Sequence, residues 1–492
     1  MLKDVEDGAR AAVLLAGGTP LHDAMVGADP GDWLALDEGV REVACYSSQY
    51  EPEWERVAPL TADEDLEHAD ESRLALALCH RKGRIRQKAV RWSVRHPALL
   101  PLLVIRCADW AAPVRETARR ALREVLDAES AVHLASLILR VGRRDRGDFA
   151  VEVLGELLGG ASRTRLGPLF ASPDRTVRRF AYRLAVERRL FTPAELARAA
   201  ARDPDTVVQD LCATAALAAL RDKEAYAETD EVAYADTYEE AHSDTYEDVL
   251  SPLLNARNPR TRSAGVTGLR RAGRAEQAEA FLGDRSGLVR ACARYVVRRH
   301  GGDPTAWYRA QCTAPEEPGL PPGAVIGLAE GGDRADAGLL LPLLAHPAAG
   351  VRAQAVAGLR LLERTTTEQL RPFLDDPAAG VVRETVLALL PSAKDLPADW
   401  LLERLGAERP QHVRRAAFRL LDARGGAVAP GAAAGLLDDP DPKLRMWAEQ
   451  SVQRRRPSME VQVVRPGPAP TGEPTELLAD QPLRESRWAP GL

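Results

Sequence analysis

Hydrophobic positions recur along this chain with the spacing of one helix face, and the recurrence is itself periodic. Four segments align without a gap: "GVRAQAVAGL" from Gly350, "VVRETVLALL" from Val381, "HVRRAAFRLL" from His412 and "KLRMWAEQSV" from Lys443. Their arginines, Arg352, Arg383, Arg414 and Arg445, stand 31 residues apart. Arg86, Arg115, Arg178, Arg262 and Arg290 carry the same local signature, and Gln209 takes the place 31 residues after Arg178. Val, Ile or Leu precedes every one of these positions except Arg262, and Ala follows three residues later in most of them. An apolar residue with a small one four positions on defines a helix face that a neighbouring helix approaches closely. Ahead of each run stands a turn rich in Asp, Asn or Pro, such as "SPD" at 172, "RDPD" at 202 and "DDPDPK" at 438, the signals of a helix N-terminus. Ahead of the turn lies another amphipathic run, for example "TEQLRPFL" or "ADWLLERL". The period therefore encodes helix, tight turn, helix. One such pair cannot bury its own apolar face, so the pairs must stack.

This pattern predicts an all-α chain, an α-solenoid of about twelve helix-turn-helix repeats over residues 71–456, with the register weakest near Arg146 and near Val325. The Asp/Asn-Pro turn, the Val-Arg pair and the Ala three residues later resemble the short HEAT-repeat family, of the kind also found in bacterial phycobilin-lyase-like proteins. In that family the ladder arginine pairs with an acid from a turn and staples neighbouring repeats. The resemblance implies this role for Arg86, Arg115, Arg178, Arg262, Arg290, Arg352, Arg383, Arg414 and Arg445. Arg383 and Arg414 are accordingly expected to be largely buried and hydrogen-bonded to turn acids or carbonyls.

Three stretches break the pattern. Residues 1–70 match it poorly and are expected to form an acidic helical cap on the first repeat. Between Gln209 and Arg262 the spacing grows to 53 residues. The excess lies in 222–248, "DKEAYAETDEVAYADTYEEAHSDTYED", which is expected to be an acidic loop inserted between repeats, with Tyr238 and Tyr246, and too polar to build a core. It lacks the glycine and alternating ligands of a calcium loop. Beyond Pro457 the chain is Pro-rich and without helical period, which predicts a disordered tail over 457–492. The repeats thus fall into 71–221 and 249–456.

Charge adds a second pattern. The formal net charge of −6 conceals blocks: residues 1–70 carry a net −13, residues 71–189 a net +13, and the insertion a net −10. The segment "HRKGRIRQKAVRWSVRH" (80–96) holds seven Lys or Arg and no acid. Arg91, Arg120 and Arg183 each stand five residues after a ladder arginine, so on stacked helices they are equivalent positions. With Arg81, Lys82, Arg84 and Lys88 they are the candidates for holding a polyanion. Trp92, Trp110 and Tyr182 are the aromatics available beside them for stacking, or equally for the core.

Catalytic signatures are sparse. The nine histidines are scattered and none precedes a Glu, so the di-iron pattern of HEAT-repeat hydroxylases is not matched. There is no HExxH, GxSxG or GxxxxGK[ST] motif, and no cofactor is expected. Some DNA glycosylases for alkylated purines are built of HEAT-like repeats with a carboxylate near tryptophans. Asp109 beside Trp110, or Trp33 with Asp37, would be the pieces of such a site here, against the plainer reading that Asp109 caps a helix. The six cysteines are spread without a CxxC, which fits buried thiols in a reducing, cytoplasmic setting, and no stretch is long and apolar enough to span a bilayer. Two functions follow as expectations: a non-catalytic scaffold for a protein partner, or a nucleic-acid-binding protein using 81–189.

Overall fold

The computed structural model describes residues 5–41, 52–61, 66–227, 245–313 and 319–455. It is all-α, with no strand among the described residues. The chain divides into two compact units, Met1–Arg364 and Thr365–Leu492. In the first, nine helix pairs follow the N-terminal helices, from Glu71–Cys79 with Gly83–Ser93 to Ala337–Leu340 with Ala349–Leu361. In the second, three pairs run from Thr367–Leu370 with Ala379–Leu389 to Val428–Ala434 with Pro442–Arg455. The expectation of stacked helix-turn-helix repeats is met, and the two weak registers are filled by the helices Asp148–Gly159 and Pro322–Gly331.

The helix Arg175–Glu187 shows how the local sequence builds a repeat. Asp174 caps its N-terminus, accepting from the Thr176 amide at 2.8 Å. Val177, Arg178, Ala181 and Ala185 are the buried positions, which lie along one face. Alanine on that face keeps the neighbouring backbone close. Elsewhere a proline follows the cap, as at Pro193 after Thr192 and Pro259 after Asn258, where its missing N–H costs no helical bond. Several first helices are short or 3-10, including Ala275–Phe281, Pro342–Ala345 and Arg371–Asp375. Proline within or at the start of a first helix (Pro168, Pro252, Pro342, Pro372) removes donors from the ladder of hydrogen bonds there.

The N-terminal region folds onto the first repeat. Val5–Ala16 and Pro30–Val40 cross where glycine is needed: a Cβ on Gly8 would sit 1.9 Å from the Ala35 carbonyl oxygen, and one on Gly39 would sit 2.2 Å from the Ala9 nitrogen. The Trp54 indole donates to the Val40 carbonyl at 3.0 Å, and Ser72 of the first repeat donates to the Thr19 carbonyl at 2.9 Å. Ala11, Leu36 and Trp54 share one core with repeat residues as far along as Ala181.

The insertion is shorter than its composition suggested. The helix Thr206–Ala227 runs into the segment read as a loop, and Tyr246–Leu254 begins inside it. Thr245 caps that helix in a capping box with Asp248, and Tyr246 packs on a core formed with Val249 and Leu253. The aromatic and the cap make this end of the segment structural, a contribution that its acidity concealed. Residues 228–244, Tyr238 among them, lie outside the described residues, as does the tail from 456.

Candidate binding surface

Four ladder arginines, Arg86, Arg178, Arg262 and Arg290, are fixed by a double set of bonds, whereas Arg414 keeps the bond to its acid and donates Nε to the Leu405 carbonyl. In those four, one edge of the guanidinium ties its helix to its own turn: Nη1 donates to the carbonyl six residues earlier, from Arg86 to His80 (2.7 Å), Arg178 to Ser172 (2.7 Å), Arg262 to Ala256 (2.8 Å) and Arg290 to Asp284 (2.7 Å). Arg115, Arg352 and Arg445 make the same bond to Asp109, His346 and Asp439. The other edge reaches into the next turn. Arg86 donates twice to the Asp109 carboxylate at 2.9 Å, Arg178 to Asp203 at 3.0 and 3.4 Å, Arg262 to Asp284 at 3.0 and 2.9 Å, and Arg414 to Asp439. Arg290 instead uses Glu330. A second rung, not apparent from the ladder register, lies one residue on. Arg179 donates to Asp205 at 2.9 and 2.8 Å, and Arg415 to Asp441 at 2.7 and 2.8 Å. These bonds hold both carboxyls below the ordinary aspartate range. The signal for this rung is present in the sequence: "VRR" in one repeat with "DPD" in the next.

Arg383 departs from the expectation. Its side chain is 67% exposed and among the described residues pairs with the adjoining Glu384, at 3.0 Å, so it does not staple a turn. The cause is register. The turn residue six before the ladder position is His346 for Arg352, and its counterpart Asp376 places the next ladder position at Val382, which is buried. Pro342 and Pro372 stand ten residues before Arg352 and Val382, as Pro168 and Pro252 do before Arg178 and Arg262. This repeat is one residue shorter and the following one longer, so an alignment anchored on arginine kept a uniform period that the turns do not share.

The carboxylates considered for base chemistry are sealed. Asp109 accepts from Arg86, from Arg106 Nη1 at 3.1 Å and from the Ala111 amide at 2.9 Å, and its side chain is inaccessible. Arg106 also donates to Asp37, which is held from the other side by Arg41 at 2.5 Å. Burial works to raise the Asp37 pKa, but Arg106, Arg41 and Arg144 overcome it and keep the carboxyl ionised. The two separate candidates thus meet in one buried network, Asp37–Arg106–Asp109–Arg86, that joins the N-terminal helices to the first two repeats. Neither carboxylate can reach a substrate. Trp110 is exposed, with the Arg86 guanidinium 5.6 Å from its ring centroid. Tyr182 belongs to an aromatic cluster with Phe170 and Phe191, and burial pushes its hydroxyl up to about 12. Cys107, Cys212 and Cys312 are buried free thiols, each pushed up to about 12 by burial.

The polyanion candidates divide. Arg84, Arg91, Arg120 and Arg183 are exposed, Lys82 is exposed at a helix N-cap, and Lys88 is half-buried. Arg81 lies 3.1 Å from Glu55 of the N-terminal region, so an acid already faces it. The helices carrying Arg91 and Arg120 pack side by side, with Gln87 and Thr117 3.5 Å apart between them. The next second helix, Asp148–Gly159, exposes Glu152 and Glu156, and Glu156 meets Arg123 at 3.5 Å. Acids therefore interrupt the row before Arg183.

No family model matches the chain, and no curated protein matches it. Solved structures do, at low identity. A microtubule polymerase with tumor overexpressed gene (TOG) domain arrays, described for tubulin recruitment and assembly, is 10% identical. That match covers 87% of this chain and 97% of the other, with a TM-score of 0.22. Kap95p, in a structure with RanGDP, is 11% identical over 91% of this chain and 62% of that one, with a TM-score of 0.31. The karyopherin Kap121p bound to the SUMO protease Ulp1p is 13% identical over 91% and 53%, with a TM-score of 0.24. The chain spans little more than half the length of the two karyopherin chains.

Proposed function

We propose that the chain is a non-catalytic HEAT-like scaffold of the reducing cytoplasm that presents the outward faces of its second helices to a protein partner. The observation that supports this reading is how each second helix uses its charges. The inward ionisable groups, from Arg86–Asp109 to Arg414–Asp439, are consumed in holding repeats together. The outward positions, such as Arg91, Arg120 and Arg183, stand exposed in the first, second and fourth repeats. Stacked repeats that hold such positions in fixed register form an extended recognition surface. The second reading, nucleic-acid binding through 81–189, is weakened by Glu152 and Glu156, which break the cationic row that a phosphate backbone would follow. Site-specific photo-crosslinkers at positions 91, 120 and 183 of the full chain test this in cell extract. Crosslinks to a defined protein are expected. Crosslinks mainly to nucleic acid, with retention on DNA that falls steeply with salt, would reverse the choice.

A further inference from the structure

A second uninterrupted cationic face of the first unit lies outside the segment that charge counting singled out. The second helices Pro259–Arg271 and Gly287–Arg299 pack against each other. They carry four arginines each and no acid. By contrast, Ala112–Val125 and Asp148–Gly159 in the basic block carry Glu116, Glu124, Glu152 and Glu156. Residues 249–299 carry a net +8, and their three acids sit on first helices and turns, where Asp284 is bound by Arg262.

The 287–299 helix also has a shaped surface. A groove of about 490 Å³ is lined by Ala291, Arg294, Tyr295, Arg298, Arg299 and Glu330. Its floor is preset: Glu330 accepts from Arg290 at 3.1 Å and from Arg294 at 2.7 Å, and Tyr308 donates to the Leu282 carbonyl at 3.0 Å beneath. Burial works to raise the Glu330 pKa, and the two guanidiniums overcome it and hold the carboxyl below its ordinary range. Arg298 is exposed and has no ion-pair partner among the described residues, and Arg299 stands 5.8 Å from the Tyr295 ring centroid. Leu288 is 47% exposed and Tyr295 46%. Leu288, Ala291 and Tyr295 are spaced by three and four residues, so they form one exposed apolar strip that ends at Arg298 and Arg299.

We propose that this groove is a docking site for an acidic peptide segment of a protein partner, one that carries an aromatic or aliphatic anchor beside its carboxylates. The anchor lies along Leu288, Ala291 and Tyr295, and the carboxylates pair with Arg298 and Arg299. An apolar strip beside cations favours a peptide over a phosphate backbone, which has charge along its whole length and no aliphatic group to bury. Arg294, already held by Glu330, stiffens the groove and leaves the terminal pair to read the ligand. The inference rests on the scaffold reading and names the chemistry of its partner.

The test uses the full chain and three fluorescent probes: a 16-residue peptide of Glu and Asp with one Tyr and one Leu at a spacing of four, a 16-residue poly-glutamate, and a 20-nucleotide single-stranded DNA. The mixed peptide is expected to bind more tightly than poly-glutamate. R298E/R299E is expected to weaken it by at least about tenfold, and Tyr295→Ala by about tenfold, as for a central aromatic anchor. Arg419→Glu, at an exposed position of the second unit, is expected to leave it unchanged. These side chains are exposed, and circular dichroism of each variant confirms that helix content is kept. Equal binding of the peptide and poly-glutamate would remove the anchor. Tighter binding of the DNA, lost in R298E/R299E, would make the site one for nucleic acid. Loss in R91E/R120E with R298E/R299E intact would place the partner on 81–120, leaving the scaffold reading and sinking this one. No binding of any probe would also overturn the site, while crosslinks at position 91 would still stand for the scaffold.

Discussion

The ladder arginine and the residue one place beyond it show how steeply energy depends on register. Arg414 is buried and paired with Asp439, which the Asp441 amide also reaches at 2.9 Å. Arg414→Ala leaves that carboxylate buried without its cation, which costs about 3 kcal/mol for a pair of this kind. Arg383→Ala removes an exposed side chain and is expected to stay within about 0.5 kcal/mol. Urea denaturation of the two variants separates them, and equal losses would mean that Val382 is not the ladder position. His80 gives a pH prediction. Its Nδ1 accepts from the Lys82 amide at 2.9 Å, so Nε2 carries the proton toward Glu55 Oε1 at 3.3 Å. Burial holds its pKa below the ordinary 6.5, with Glu55 pulling the other way. A base whose folded pKa is depressed takes up protons more readily when unfolded. The stability it contributes is therefore present above about pH 6.5 and is lost as pH falls through the folded value. His80→Asn keeps an acceptor for the Lys82 amide and removes the titration. Its stability is expected to be flatter than that of the parent just below pH 6.5, measured as denaturation midpoint against pH. The same slope in both would assign that proton uptake elsewhere.

At the scale of elements, most of the architecture was legible because each repeat states its fold twice. The turn supplies the cap, and the face behind it supplies the apolar-small pair, as in Asp174 with Val177 and Ala181. Twelve second helices were expected, and the described residues hold twelve. What was not legible had two causes. Identity at a single position misled where the turn length changed, as at Arg383, although the prolines ten residues before the ladder carry the true register. Long-range partners left no periodic mark: Asp37 and Arg106 lie 69 residues apart, and the Gly8–Gly39 crossing needs both helices in place to be seen. Composition, too, masked local roles in the insertion, where Thr245 and Tyr246 belong to a helix. Two deletions separate these roles. Replacing 228–244 by a Gly-Ser linker keeps the Thr245 cap, the Tyr246 packing and the Glu247–Arg274 ion pair. Replacing 223–247 removes all three and is expected to cost about 2 kcal/mol more, from the lost cap and the uncovered core. Indistinguishable melting curves would return Tyr246 to the loop.

Over the whole molecule, stability is expected to be graded, because each repeat holds only its neighbours and the repeats are unequal. In the first unit Glu71–Cys79 has seven of its nine residues buried, and it lies under both the N-terminal helices and the helices that follow. Its core is continuous from Ala11 to Ala181. In the second unit the last pair begins with Val428–Ala434, which after Val428 is only Ala, Gly and Pro and has two buried residues. The cluster that covers it is small: Phe418, Ala433, Leu436, Leu444 and Ala448. Alanine buries little apolar area, so this pair gains far less from packing than a Leu-rich one. Gly431 and Pro430 further weaken the helix that must hold it. Local opening follows from such differences in buried contact, and native-state hydrogen exchange reads it amide by amide. Amides of 428–455 are expected to exchange first and those of 71–79 and 100–106 last, with the second rung Arg415–Asp441 slowing the opening of the terminal pair. Arg415→Ala should then speed exchange in 442–455 while leaving 71–106 unchanged. A single rate shared by both regions would show that the chain opens as one cooperative body, and the additive picture of the repeats would fail.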